Sequence, residues 1–398
     1  MRSSSALPWT RVLSACLLWA CVFAIAGCGD VRETPGRATG LRLASFLGPA
    51  AGALGPAAGA LDSAAGDPTA DAGFATADEV VEFEFPRDHG SHPRFRSEWW
   101  YLTAMLADDQ GREYGVQFTL FRQALSANAA RDRRWRSSQV YLGHLALADV
   151  ARREHVSHER LARGHQRLAG VSASPFRAWI EGWRLEATGT GTFPMRLVGE
   201  TTDFALDLEI RTTKDVVRQG DNGLSRKGPD NASYYYSVPR LAVAGSITRG
   251  DETIPVAGRG WLDREWSTSV LAREYVGWNW FALQLDDGRD VMVYALRRAD
   301  GRRDTYDQGV LVAPDGSVNP LASEDFTLRP VRSWQDDRGV TWPLEWSLVF
   351  ADGETLFIDA AFDDQVMQTT IRYWEGFVQV ARADGERVGT GYMELTGY

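Results

Sequence analysis

From Glu98 onward the chain alternates apolar and polar residues in short runs, broken repeatedly by Asp-Gly pairs. Trp100, Leu102, Ala104 and Leu106 alternate with Tyr101, Thr103 and Met105, and after Asp108-Asp109-Gln110-Gly111 the alternation resumes through Val116, Phe118 and Leu120. A second such pair runs from Phe281, Leu283 and Leu285 through Asp287-Gly288 to Val291 and Val293. Period two on both sides of a glycine turn is a hairpin pattern. Further Asp-Gly pairs stand at Asp300-Gly301, Asp315-Gly316, Asp352-Gly353 and Asp384-Gly385. No helical stripe competes with this pattern after the leader. The chain is therefore expected to be all-β, with antiparallel strands of modest length closing into barrels. Strands that are apolar or aromatic on both faces favour barrels over a single open sheet. The change of texture near residues 267–275 marks the expected boundary between two domains, 79–268 and 269–398.

The N-terminus has a different texture. Arg2 and Arg11 precede an apolar run from Val12 to Gly27, too short to span a membrane comfortably and shaped like a signal-peptide core. It ends in Ile25-Ala26-Gly27-Cys28, a lipobox-like sequence in which small residues admit a peptidase and the thiol can be diacylated. General secretory cleavage is the alternative. The chain has three cysteines, Cys16, Cys21 and Cys28, so cleavage ahead of Cys28 leaves one thiol and no disulfide within a chain. Residues 1–27 are thus expected to be a lipoprotein signal peptide. Lipidation at Cys28 would then anchor the protein on the periplasmic or cell-surface side of a membrane. Residues 28–78, rich in Ala, Gly and Pro, read as a flexible tether, with an alanine-rich helix as the rival.

The formal net charge of −10 weighs against nucleic acid as a partner. The chain has no Gly-x-Ser-x-Gly elbow, His-Glu-x-x-His, phosphate-binding glycine loop or Cys/His zinc spacing, so no cofactor or metal is expected. His155, His158 and His165 sit among Arg152, Arg153, Arg160 and Arg163, which favours a solvated basic connecting segment over a metal site. The segment from Phe85 to Pro93 with Glu98 reads two ways. It is either an N-terminal strand plugging a barrel, with Glu98 paired to a residue such as Arg122, or a cavity mouth where His89 or Glu98 donates a proton.

The densest chemistry lies in Gly260-Trp261-Leu262-Asp263-Arg264-Glu265-Trp266. On a strand, Asp263 and Glu265 share a face with Trp261, and Arg264 and Trp266 share the other. Two carboxylates on one face repel, so one should be pushed toward its protonated form unless a cation intervenes. An acid beside indoles suits alkene protonation, with a π-face to stabilise the cation. A buried ion-pair network at a domain interface is the structural alternative. Trp278 and Trp280 share a face and can line a pocket or fill a core. Tyr234-Tyr235-Tyr236 supplies phenols, and Arg240 a cation suited to Asp263 or Glu265.

Taken in order, the segments from Phe85 to Gly90, Glu98 to Tyr101, Tyr235 to Leu241, Trp261 to Trp266, Gly277 to Leu285, Tyr373 to Gly376 and Gly391 to Tyr398 resemble the AttH-type proteins. These are lipocalin-like relatives of the carotenoid 1,2-hydratases, and the resemblance runs from about Glu84 to Tyr398. It implies two tandem lipocalin-like barrels with the Asp-x-Glu-Trp strand near their junction. It also implies activities ranging from water addition to cyclisation. The hydratases carry a histidine within this motif. Here the position is Arg264, whose pKa above about 12 prevents useful proton donation. The expectation is an exported lipoprotein that binds an apolar lipid or isoprenoid in or between the barrels. The alternatives are a lyase or isomerase acting on it through Asp263 or Glu265, with Trp266, Trp278 and Trp280 stabilising a cation, and, more weakly, a hydrolase. Glu98, Trp100, Tyr236, Arg240, Arg264, Trp266, Trp278 and Trp280 are the expected binding residues. An export or transport machinery would be a further partner.

Overall fold

The computed structural model describes residues 73–398, apart from 128–136, 166, 269–270 and 273. The expected signal peptide, Cys28 and almost all of the tether lie outside the described residues. Within them the chain is β throughout, save a 3-10 turn at Arg87–His89.

The first sheet is built from β1 (Ser97–Ala107), β2 (Glu113–Ala124), β3 (Gln139–Asp149), β4 (Glu154–Arg163), β5 (Ala169–Ala173), β6 (Phe176–Ile180), β7 (Trp183–Ala187), β8 (Met195–Glu200), β9 (Ala205–Thr212), β10 (Val217–Arg218), β11 (Leu224–Arg226), β12 (Ala232–Arg249) and β13 (Glu252–Ser267). Its order is β4-β3-β2-β1-β13-β12-β9-β8-β7-β6-β5, with β10 and β11 paired to β12. β6 lies against β2, β3 and β4, so the sheet curls nearly into a closed barrel around one apolar core.

The second sheet comprises β14 (Tyr275–Leu285), β15 (Asp290–Arg298), β16 (Gln308–Val312), β17 (Val318–Leu321), β18 (Phe326–Gln335), β19 (Thr341–Phe350), β20 (Thr355–Ala360), β21 (Trp374–Ala381) and β22 (Arg387–Leu395). Its order is β17-β16-β15-β14-β22-β21-β20-β19-β18, a half-barrel with its own core. The expected all-β fold with two tandem barrel-like sheets is what the chain adopts.

The turns explain much of the register. At Asp287-Gly288 the glycine has φ +93°, a left-handed conformation that costs glycine little. The Asp287 carboxylate accepts the Arg289 N–H two residues on, at 3.0 Å, which closes the turn locally. Asp315, Asp352 and Asp384 do the same with Ser317, Glu354 and Glu386.

Two expectations about the edges are corrected. The segment from Phe85 to Pro93, with Phe83 just ahead of it packed against Trp266 and Tyr236 in the first barrel's core, does plug that barrel, but it is no strand. Pro86 and Pro93 lack the N–H groups a ladder needs. The histidine-bearing stretch is not a connecting segment but the edge strand β4, with His155 opposite Ala148 and His158 opposite Leu145. Its charged residues suit an edge that must not pair further.

The sheets meet through their outer faces. An aromatic cluster of Tyr101, Tyr235, Trp261, Trp280, Phe377 and Tyr392 lies between them, and β1 touches β22 while β2 touches β21. Asp290, fully buried at the start of β15, clamps the junction by accepting from Lys214 Nζ at 2.7 Å and Arg240 Nε at 2.9 Å.

Candidate functional site: two faces of one strand

β13 is central in the first sheet, paired with β1 on one side and β12 on the other, so both of its faces are buried. The alternation read from the sequence holds. Leu262 and Trp266 join the barrel core, whereas Trp261 joins the cluster between the sheets.

On the inner face, Arg264 lies 3.8 Å from the ring centre of Trp100 and donates to Glu98 Oε2 at 2.5 Å. It also donates to the carbonyls of Gly90 and Trp99. Glu98, without exposed surface, is paired with Arg122 and accepts the His92 N–H at 2.9 Å. Burial pushes this carboxyl up, but Arg122 and Arg264 overcome it and hold the group well below the usual carboxylate range. His92 stacks on Trp266 at 3.9 Å, and His89 Nδ1 lies 2.6 Å from the Tyr236 hydroxyl. Burial, and then Arg264, push the His89 imidazole down to about 4. The proton-donor reading of His89 and Glu98 is therefore corrected: near neutral pH one is a neutral imidazole and the other a clamped carboxylate. This face is a plug lock built on charge.

On the outer face, Asp263 is deeply buried. It accepts from Ser237 Oγ at 2.5 Å, from the Tyr235 hydroxyl at 2.5 Å and from Trp261 Nε1 at 2.7 Å. The cross-strand register aligns these donors, with Ser237 directly opposite Asp263 on β12. Trp280 Nε1 donates to the Tyr235 oxygen at 3.2 Å, extending the chain to the second sheet. Burial pushes Asp263 up to about 7 against the pull of its three donors. Glu265 takes the cation, an ion pair with the buried Lys227, and Asp263 is the carboxyl carried toward neutrality.

Two sequence assignments need correction. Trp266 faces the barrel interior, so it cannot stabilise a cation formed beside Asp263; Trp261 and Trp280 can. Tyr236 and Trp100, also among the expected binding residues, share the inner face. Arg240 does not pair with Asp263 or Glu265 but with Asp290, because the register irregularity between Val238 and Leu241 separates it from that row.

The second sheet contributes two carboxyls whose roles were not assigned from the sequence. Glu375 and Glu394 stand directly opposite each other on β21 and β22. Trp278 Nε1 donates to Glu394 Oε1 at 2.6 Å. Burial pushes Glu394 up to about 7, and burial followed by the charge of Glu394 pushes Glu375 well above the carboxylate range. Glu394 is half-buried, whereas Glu375 is buried. Trp99, Trp278 and Tyr306 are partly exposed aromatics on this side. Among the described residues no group of three or more His, Cys, Asp or Glu side chains is arranged to hold a metal.

The AttH-like family model matches residues 76–398. A solved structure of a protein assigned as AttH from Nitrosomonas europaea superposes with a TM-score of 0.74 at 33% identity, covering 82% of this chain and 100% of that one. Kievitone hydratase from Nectria haematococca shares the fold at 13% identity and a TM-score of 0.62, covering 82% and 98%. CghA, solved with Sch210972, does so at 13% identity and 0.50, covering 82% and 97%. No curated protein matches the chain. The chain belongs to the AttH-like family.

Proposed function

We propose that this protein binds an apolar, unsaturated small molecule between its two sheets and moves protons to and from it through Asp263. The observation that carries the reading is a carboxyl pushed up to about 7, oriented by three donors and set against the indoles of Trp261 and Trp280. An acid is most effective when its pKa lies near the working pH. Protonating an alkene carbon forms a C–H bond and leaves a cation on the neighbouring carbon, which an indole face can stabilise by about 2 kcal/mol or more when dry. Attack by water, with its surplus proton returned to Asp263, completes a hydration. Attack by a second double bond followed by proton loss to Asp263 completes a cyclisation. Two of the proteins that share this fold, kievitone hydratase by its name and CghA by its bound Sch210972, lend the reading support by analogy only.

Binding without turnover is the second reading. It is favoured by the engagement of both Asp263 oxygens with protein donors. We further propose that Cys28 carries the lipid that holds the protein at a membrane. Native mass spectrometry of protein purified from membranes reads both the N-terminal mass and any retained small molecule. A retained apolar molecule, incubated with the protein in heavy water, is expected to gain deuterium on carbon, and Asp263→Asn to lose at least about a hundredfold in that rate. Labelling that persists in Asp263→Asn sinks the acid assignment. Tight binding with no labelling leaves the carrier.

A further inference from the structure

Behind the carboxyl pair a chain of polar side chains runs to the surface, and the chemistry at Asp263 does not use it. His144, on β3, has no exposed surface and points away from the barrel core. Its Nδ1 lies 2.7 Å from the Tyr373 hydroxyl and its Nε2 3.1 Å from Glu159 Oε2. Glu159 is the residue directly opposite His144 on β4, and its side chain keeps 20% of its surface exposed. It is steadied by the Thr370 N–H at 3.1 Å and by the Thr370 hydroxyl. Tyr373 precedes Glu375 by two residues at the start of β21, and its phenol lies against the Glu375 carboxyl together with that of Tyr101. Neither Glu375 oxygen has an aligned hydrogen-bond partner, although both are fully buried. Glu394 faces Glu375 from β22 and feels Asp263 and Glu265 of β13 in turn.

We infer that Glu159, His144 and Tyr373 form a proton path from the surface to Glu375, and that Glu375 with Glu394 is the proton store of the site between the sheets. The inference rests on the proposed chemistry for its purpose, though not for its path. A proton from Glu159 arrives at His144 Nε2, the Nδ1 proton passes to the Tyr373 oxygen, and the Tyr373 hydroxyl proton passes to ionised Glu375. One proton enters at the surface and one arrives at the carboxyl. Glu159, replenished by water, and the imidazole, returned to its first tautomer, reset the path. A purely structural peg between the sheets would explain why His144 is buried against Tyr373 and Phe121. It would not require a carboxylate at the solvent end or a buried carboxyl beside the Tyr373 phenol at the inner end.

The test uses the whole purified protein and infrared spectroscopy of the protonated-carboxyl stretch after transfer from water to heavy water, with the Glu375 band identified by its loss in Glu375→Gln. Tyr373→Phe keeps the ring and removes only the hydroxyl; His144→Gln keeps polar contacts but cannot relay. Deuteration of the Glu375 band is expected to slow about a hundredfold in both variants, as for loss of a positioned acid–base group, with melting temperatures close to wild type. Exchange at the wild-type rate in both folded variants, or no protonated Glu375 band at neutral pH, overturns the path. Asp263→Asn is expected to leave this exchange unchanged. The path can therefore stand even if no labelled product is ever found, and fall even if one is.

Discussion

Asp263 and Arg264 are neighbours in sequence and belong to different interiors. On the Arg264 side, charge is the element that locks. Glu98→Gln would leave the guanidiniums of Arg122 and Arg264 facing a neutral amide. Breaking a buried pair by removing one partner typically costs about 3–5 kcal/mol, and chemical denaturation should show a loss of that size. The two faces also respond to pH with opposite signs. Glu98 is held below its ordinary range, so its contribution is present above the unfolded value of about 4.3 and is lost as pH falls. Asp263 and Glu394, raised to about 7, bind more protons folded than unfolded. Their contribution is present in acid and is lost as pH rises through the window up to about 7.

At the scale of strands, period-two alternation and Asp-Gly turns made the hairpins readable, because both are local signals. The same logic divided β13 correctly into its two faces. It could not reveal which strand lies beside which. Lys227, the partner of Glu265, is far along the chain and meets it only because β11 pairs with β12 and β12 with β13. Glu375 and Glu394 lie within segments that resemble the family. Their opposition, however, depends on β21 pairing with β22, and the position of His144 depends on how the sheets dock. β14 offers a test of how tightly backbone geometry positions the site. A Cβ added to Gly277 would sit 2.3 Å from the Thr396 carbonyl oxygen, next to the irregularity between Tyr275 and Gly277. Gly277→Ala must push the tail away or distort β14. It should cost about 1–3 kcal/mol as overpacking does and loosen the adjacent Trp278 from Glu394, read as a red-shifted, more exposed tryptophan emission.

For the molecule as a whole, a nearly closed barrel and a half-barrel are joined through aromatic outer faces and a buried Asp290 clamp, with Asp263 and Glu375 buried in the join. The barrel interior, the first place to look for a ligand in such a fold, instead holds an apolar core that includes Phe83, beside the Glu98–Arg264 lock. The resemblance pointed to the fold and to the Asp-x-Glu-Trp strand; which face of that strand carries proton chemistry depends on burial, which only the assembled sheets provide. Selective carbon-13 labelling of aspartate carboxyls, with Asp263 assigned by its loss in Asp263→Asn, measures that directly by NMR titration. A midpoint near 7 is expected. A midpoint at the ordinary aspartate value of about 3.9 would contradict it.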